Sequence, residues 1–169
     1  MSMRIETERL IITELTMDMA EALHRNSLDE DNRRFVPDEV FETVEEASDT
    51  ISYLRECYHT GQGPLVYAVT LKDGALTGYV QAVPLDEGWE IGYHIAEAYT
   101  CKGYATEAVK AFLPVIMTSL GIHHMLGICV AENAASVKVM ERCGFVKQFE
   151  GIGEYQGNQT RICRFLYAL

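Results

Sequence analysis

The sequence predicts a mixed α/β domain, and three local patterns support this prediction. In residues 89–95, apolar side chains alternate with Glu, Gly and His, the period-two pattern of a strand. Residues 104–120 carry apolar side chains three and four positions apart, as one face of a helix does. The turn Lys72-Asp73-Gly74 separates two apolar runs and indicates a β-hairpin. Strands and helices therefore follow one another along a single chain.

The same patterns predict the other elements in chain order. The predicted helices lie near residues 17–28, 44–59, 104–120 and 134–142. The predicted strands lie near residues 9–15, 65–71, 77–83, 89–95, 125–130, 145–150 and 161–168.

Length and composition indicate one domain spanning residues 1–169. The chain has 169 residues, of which 48% are hydrophobic and 23% charged, enough for a sizeable core. The N-terminus lacks the pattern of a signal peptide, and Lys110 and Pro114 interrupt the most apolar stretch. We therefore expect a cytoplasmic protein without a membrane span.

The net charge of −11 is concentrated in residues 1–60, which carry 15 acidic and 6 basic side chains. An acidic chain disfavours nucleic acids and anionic membranes as partners. It favours a cationic acceptor molecule, and amines with additional positive charge are the expected preference. Many of these carboxylates are equally explained as the solvated face of the helix near residues 44–59, where Glu45, Glu46 and Asp49 lie.

The sequence predicts no metal site. Its five cysteines are irregularly spaced, which favours free thiols over a disulfide framework or a zinc site. His123 and His124 are adjacent, so they cannot share one helix face as paired ligands.

The loop at residues 100–106 is a candidate anion site because it leads into the helix at 104–120. The first N–H groups of a helix have no intrahelical acceptor, and the helix dipole adds partial positive charge there. Gly103 and Ala105 leave room for a ligand. A short glycine loop that only joins a strand to a helix is the alternative.

Several further motifs follow in a recognisable order. They are Glu6-Thr7-Glu8-Arg9-Leu10-Ile11-Ile12, Glu90-Ile91-Gly92-Tyr93, Lys102-Gly103-Tyr104-Ala105-Thr106-Glu107-Ala108, Asn133-Ala134-Ala135-Ser136, Gly144-Phe145 and Arg164-Phe165-Leu166-Tyr167-Ala168-Leu169. In this order the chain resembles the GNAT superfamily of N-acetyltransferases, in particular its Rim-type branch of ribosomal-protein N-terminal and small-molecule acetyltransferases. The resemblance covers nearly the whole chain.

The resemblance implies a GNAT fold with a mixed, mostly antiparallel twisted sheet flanked by helices. It also implies transfer of an acetyl group from acetyl-coenzyme A to a primary amine by direct attack on the thioester. The pyrophosphate would lie against the backbone of residues 102–106, with Thr106 as a hydroxyl donor and Lys102 as a nearby charge. Backbone groups of Tyr93, His94 and Ile95 would pair with the pantetheine arm and polarise the thioester carbonyl.

Glu90 is the candidate general base. An alkylamine has a pKa of about 10 and is almost fully protonated at neutral pH, so a carboxylate must remove its proton. Gly92 and His94 share a strand face with Glu90 and would leave room for a ligand. An ordinary polar residue on an exposed strand face is the alternative for Glu90. His94 is the alternative base.

The chain departs from the family pattern at Thr100, Cys101 and Met140. Many members carry Gln or Arg at the first position, Gly at the second and a general-acid Tyr at the third. A cysteine would be strained if the loop required positive φ, so weaker cofactor binding is expected. Methionine donates no proton.

Without that tyrosine, Ser136 becomes the candidate donor to the departing thiolate, and Asn133 is expected at the thioester end of the cofactor. Asn133 is equally explained as the N-cap of the helix at 134–142, with Ser136 solvated. The thiolate, with a pKa of about 8.5, can also leave without an acid.

Three functions therefore stay open at this point. The acceptor is either a protein N-terminal amine or a small-molecule amine, and the third possibility is a catalytically weakened acyl-coenzyme A-binding regulatory module. A monomer and a homodimer are both compatible with the sequence.

Overall fold

A computed structural model of the chain describes residues 2–169. Its framework is one sheet of eight strands: β1 (Arg4–Glu6), β2 (Leu10–Glu14), β3 (Leu65–Leu71), β4 (Leu76–Leu85), β5 (Gly88–Ile95), β6 (His124–Val130), β7 (Val146–Tyr155) and β8 (Asn158–Ala168). The spatial order is β1-β2-β3-β4-β5-β6-β8-β7. Among these described strands, only β5 and β6 pair in parallel. The predicted mixed, mostly antiparallel sheet is confirmed.

Helices flank the sheet on both sides: α1 (Ala20–Ser27), α2 (Glu30–Phe35), α3 (Val44–Thr60), α4 (Tyr104–Leu120) and α5 (Ala134–Arg142). The apolar faces of α1 and α3 pack on one side, where Leu23, Ile51 and Leu54 meet Val66 and Ala68 of β3. The apolar face of α4 packs on the other side, and its Phe112 and Ile116 are fully buried. Each of these long helices thus buries the stripe that its periodicity predicts.

Local capping explains where the long helices begin and end. Thr43 accepts a hydrogen bond from the Glu46 N–H at the start of α3, at 3.1 Å. Gly121 ends α4 in the left-handed conformation, with φ of +66°. The predicted bounds of α4 and α5 agree with the structure.

Three predicted elements differ from the observed ones. The predicted first strand, residues 9–15, corresponds to β2, and an additional strand β1 precedes it, because the Thr7 side chain accepts from the Leu10 N–H and closes a turn between the two. The two closing strands are longer than predicted and meet at Gln156-Gly157. Gly151 and Gly153 pair with β8 instead of ending the strand, although glycine is unfavourable within a strand.

No sequence pattern indicated α2 or the helical turn Pro37–Glu39 that follows it. The six residues of α2 are Glu-Asp-Asn-Arg-Arg-Phe, and this segment has no apolar stripe from which periodicity could be detected. We refer to residues 29–39 as the cover segment, because they lie over the site described below. Within residues 2–169, none of the helices combines the length and the apolar character that crossing a membrane requires.

Candidate active site

A cavity opens where β5 and β6 separate. The parallel ladder joins Glu90 with Leu126 and Ile91 with Gly127. Both strands continue beyond this ladder, and residues from each line a cavity of about 660 Å³. The lining also includes residues of α5, the cover segment and the β7–β8 hairpin. The cavity thus exposes a strand edge whose backbone groups are available to a ligand.

Seven of the predicted site residues line this cavity. They are Glu90, Tyr93, His94, Ile95, Ala105, Asn133 and Ser136. The other predicted residues, Lys102, Gly103, Tyr104 and Thr106, belong to the loop and first turn of α4 that contain Ala105. The structure therefore brings the strand, loop and α5 residues to one place.

The start of α4 has the geometry of an anion site. Gly103 is the N-cap residue and has φ of +81°, which an L side chain rarely adopts. The N–H groups of Tyr104, Ala105 and Thr106 lie in the first turn, where a helix has no internal acceptors for them. The Lys102 side chain is exposed beside them.

Arg9 fixes this loop, and sequence reasoning missed its contribution. Its Nη1 donates to the Lys102 carbonyl at 2.8 Å, and its Nε donates to Glu107 Oε2 at 2.7 Å. The guanidinium also stacks on the Tyr104 ring, with 4.6 Å to the ring centroid. Arg9 and Glu107 are separated by 98 positions, so no local pattern could have linked them.

Thr100 and Cys101, the two loop residues that depart from the family pattern, have different structural consequences. Cys101 has φ of +62°, so the positive φ that would strain a cysteine is present here. The Thr100 hydroxyl donates to the Glu97 carbonyl at 2.8 Å and so closes a turn within the loop. Thr100 itself lines the cavity.

The start of α5 brings two hydroxyl groups together. Asn133 is the N-cap, and its side-chain oxygen accepts from the Ser136 N–H at 3.2 Å. Ser136 is not simply solvated, because its Oγ lies 2.8 Å from the Tyr93 hydroxyl. The same Tyr93 hydroxyl donates to the Ser136 carbonyl at 3.0 Å. Burial raises the pKa of Tyr93, which keeps the phenol protonated.

Met140 lies in the cavity wall as a packing residue. Its side chain is 2% exposed. A Cβ added at Gly127 would come within 2.6 Å of the methionine methyl, so the Met140 side chain packs directly on this glycine. Met140 has no exchangeable proton. Ser136, one turn earlier on α5, and Tyr93 of β5 each carry a hydroxyl proton.

Glu90 is partly buried at the point where the β5–β6 ladder ends. Burial and the nearby Glu39 carboxylate raise its pKa to about 7, against the opposing influence of Arg164 and the Ile128 N–H. A carboxylate with this pKa can both accept and release a proton near neutral pH. An exposed strand face, the alternative interpretation of this residue, does not describe its surroundings.

Gly92 lines the cavity, and the Gln81 side chain occupies part of the space beside it. Gly92 pairs with Gln81 of β4, and a Cβ at Gly92 would lie 2.5 Å from the Gln81 side chain. The glycine therefore accommodates Gln81, whose amide donates to Glu39 Oε1 at 2.9 Å. Gly92 positions a polar side chain of the wall.

His94, the alternative base, is held between strand and cover segment. Its ring packs on Tyr79, with 5.7 Å between centroids, and its Nε2 lies 3.8 Å from Asp29 Oδ2. Burial lowers the pKa of His94, and the carboxylates of Asp29 and Asp31 oppose this change. A neutral imidazole follows at neutral pH.

The carboxylates at the cavity come mainly from the cover segment. The helix α3 residues Glu45, Glu46 and Asp49 do not line the cavity and lie on the solvent-facing side of the helix, so the solvated interpretation is correct for them. Asp29 and Glu39 lie in the lining instead. Glu39 accepts hydrogen bonds from Tyr79 and Gln81.

Comparisons with known proteins agree with this architecture. A family model described as an acetyltransferase (GNAT) domain matches residues 9–146. A protein named uncharacterized N-acetyltransferase YnaD, from Bacillus subtilis strain 168, is 28% identical over 149 residues, covering 86% of this chain and 84% of the relative.

Solved structures give the same result for the fold. A GNAT-family acetyltransferase from Bacillus anthracis superposes with a TM-score of 0.81 at 25% identity, covering 98% of each chain. RimL, a ribosomal L7/L12 alpha-N-protein acetyltransferase solved in complex with coenzyme A, has a TM-score of 0.83 at 17% identity. That alignment covers 99% of this chain and 98% of RimL.

Proposed function

The chain belongs to the GNAT acetyltransferase family, and we propose that it transfers an acetyl group from acetyl-coenzyme A to a primary amine. Acetyl-coenzyme A supplies the acetyl group as an activated thioester. The observation that carries the proposal is Glu90, a partly buried carboxylate with a pKa of about 7 in the cavity between β5 and β6.

The residues present fit this cofactor. The edge of β5 beyond Ile91 offers backbone N–H and C=O groups to an extended amide-containing chain, as a neighbouring strand would. The loop around Gly103 offers helix N-terminal N–H groups to a pyrophosphate, and Arg9 fixes this loop through the Lys102 carbonyl. RimL, which has the same fold, was solved in complex with coenzyme A, and this supports coenzyme A as the ligand.

Glu90 acts as the general base in this proposal. The bound ammonium gives a proton to the Glu90 carboxylate, directly or through a water, and the neutral amine then attacks the thioester carbonyl. The raised pKa of Glu90 makes it a stronger base than an exposed glutamate. Direct attack needs no acyl-enzyme, so neither Cys101 nor Cys129 acts as a nucleophile.

Backbone and hydroxyl groups stabilise the charge that the reaction moves. An N–H of β5 near His94 donates to the thioester carbonyl as negative charge develops on it. The departing thiolate lies toward α5, where Ser136 Oγ donates a hydrogen bond to it, and the Tyr93 hydroxyl, 2.8 Å from Oγ, holds the serine side chain in place.

The pH dependence of Glu90→Gln tests the proposal. Wild-type kcat/KM for an amine is expected to rise with pH and level off above about 7, because Glu90 must be ionised. Glu90→Gln should lower kcat by about 100-fold or more and remove this acidic limb. Glu45→Gln, an exposed carboxylate outside the cavity, is the matched control. An unchanged limb and turnover in Glu90→Gln would exclude Glu90 as the base.

A mass-spectrometric assay separates this function from that of an acyl-coenzyme A-binding module. An acetylated amine supports the enzyme. Binding of acetyl-coenzyme A without an acetylated product from any amine would support the module.

A further inference from the structure

The acceptor side of the cavity is strongly negative. Eight of the residues that line the cavity are Asp or Glu, and none of the described lining residues is Lys or Arg. Of these carboxylates, Asp29, Glu39 and Glu90 are partly buried. The two arginines of α2 do not neutralise them, because Arg33 pairs with Glu42 and Arg34 with Glu132, outside the lining.

A buried amide oxygen in the same wall also lacks a partner. Asn32 is 2% exposed, and its Nδ2 donates to the carbonyls of Ser27 and Glu39, at 2.9 and 3.2 Å. Since these two bonds fix the orientation of the amide, Oδ1 is its remaining acceptor atom. This Oδ1 has no hydrogen-bond partner among residues 2–169. A buried, unpaired acceptor is costly unless a ligand supplies the donor.

Gln156, in the turn between β7 and β8, repeats this pattern. Its Oε1 is also buried and unpartnered among the described residues, and it lines the same cavity. The cover segment and the β7–β8 turn therefore each contribute an unpaired acceptor to the acidic lining. A ligand that matches them carries several N–H donors and positive charge.

A metal ion is a poorer match than an organic cation. Across residues 2–169, no three Asp, Glu, His or Cys side chains converge as metal ligands. The acceptors belong to two separate segments of the lining, the cover segment and the β7–β8 turn. A flexible chain with separated ammonium groups can reach both the acceptors and Glu90.

We propose that the acceptor is a small linear diamine or polyamine, whose reacting amine lies at Glu90 while a second ammonium lies against Asp29, Asn32 and Glu39. This assignment rests on the acetyltransferase function proposed above. The carboxylates bind the second ammonium through charge, and Asn32 Oδ1 accepts one of its N–H groups. The coenzyme phosphates are directed to the other end of the cavity, because the acidic end repels them.

A matched pair of substrates tests the proposal. Free thiol release from acetyl-coenzyme A is measured with a four-carbon linear diamine and with butylamine, which has the same length but one ammonium. The diamine is expected to have a kcat/KM about tenfold higher or more, since one well-placed charged contact contributes on the order of that factor. Added salt should reduce this ratio because it screens the charges.

Variants then locate the second ammonium. Asp29→Asn combined with Asp38→Asn removes two charges of the cover segment. The amide oxygen introduced at position 29 can still accept from the Glu97 N–H, as the Asp29 carboxylate does at 2.7 Å. The diamine-to-butylamine ratio of kcat/KM should fall at least about fivefold. The double variant Glu45→Gln with Asp49→Asn removes two charges of α3 outside the cavity and should leave the ratio unchanged.

The outcomes distinguish this proposal from the general function. Butylamine turnover with no preference for the diamine would overturn the diamine proposal and leave the acetyltransferase function standing. A higher kcat/KM for peptides with a free N-terminal amine than for the diamine would also overturn it, in favour of a protein substrate. A loss of thiol release with every amine would contradict the acetyltransferase function itself.

Discussion

The Tyr93 hydroxyl lies 2.8 Å from Ser136 Oγ, and this contact joins β5 to α5 across the cavity. The two side chains come from elements 43 positions apart. They place two exchangeable protons at the wall where the coenzyme thiolate is proposed to leave. A single serine, the donor expected from the sequence, is therefore part of a pair.

The Tyr93–Ser136 pair should behave as one unit in catalysis. Ser136→Ala and Tyr93→Phe are each expected to lower kcat about tenfold, because the first removes the hydrogen bond to the thiolate and the second removes the contact that positions its donor. The double variant should lose little more than either single variant, since interacting groups are not additive. Steady-state thiol release measures this cycle. Full turnover by Ser136→Ala would dismiss its role as an acid.

Glu90 should also make the folding free energy depend on pH. Its folded pKa of about 7 lies above its ordinary value of 4.5, so the folded state binds the proton more tightly than the unfolded chain. The stability that this proton gives is complete below about 4.5 and is lost as the pH rises through about 7. As the pH rises from about 4.5 to about 7, wild type loses this stability and Glu90→Gln does not. The free energy of unfolding of Glu90→Gln relative to wild type should therefore increase by up to about 3 kcal/mol over this range.

Denaturant unfolding of both proteins at acidic and alkaline pH measures this difference. The Glu45→Gln control should show the same pH dependence as wild type, because Glu45 is exposed. If the free energies of unfolding of Glu90→Gln and wild type differed by the same amount at every pH, this would contradict a raised pKa of Glu90.

Arg9 should matter more for cofactor binding than for chemistry. Arg9→Gln removes the hydrogen bonds to Lys102 and Glu107 that fix the loop, so KM for acetyl-coenzyme A should rise about threefold to tenfold, with a smaller change in kcat. Arg9→Lys should restore little, because an ammonium lacks the planar fork of donors. Arg4→Gln, at an exposed pair with Glu6, is the control. A fall in kcat as large as the rise in KM would indicate a different role for Arg9.

Cys101 should carry measurable backbone strain. Its φ of +62° is unfavourable for a residue with a Cβ, so Cys101→Gly should raise the free energy of unfolding by about 0.5–1 kcal/mol. Cys101→Ala keeps the Cβ and should not stabilise the protein. Denaturant midpoints of the three proteins provide the measurement. No gain for glycine over alanine would show that the loop tolerates cysteine without strain.

The local elements that carry the site could be predicted from the sequence. The bounds of α4 and α5 followed from their apolar periodicity and flanking residues, because these signals act within a few positions of the chain. The same reasoning failed for α2, whose charged residues contain no periodic stripe. That omission mattered, since the cover segment supplies most of the acidic cavity wall.

The contacts between elements could not be predicted in this way. Gln81 fills the space above Gly92 because β4 and β5 pair in one particular register, and a glycine in a strand does not reveal what occupies its open side. Arg9 meets Glu107 only because the β1–β2 turn lies beside the start of α4.

The sequence by itself determined the family resemblance and the strand and helices that carry Glu90, Gly103 and Ser136. Only the tertiary structure decided that Tyr93 pairs with Ser136, that Arg9 holds the loop and that the cover segment lines the cavity. The physical reason is that periodicity and capping depend on neighbours along the chain. Burial, charge and hydrogen bonding at the site depend instead on residues brought together by strand register and helix packing.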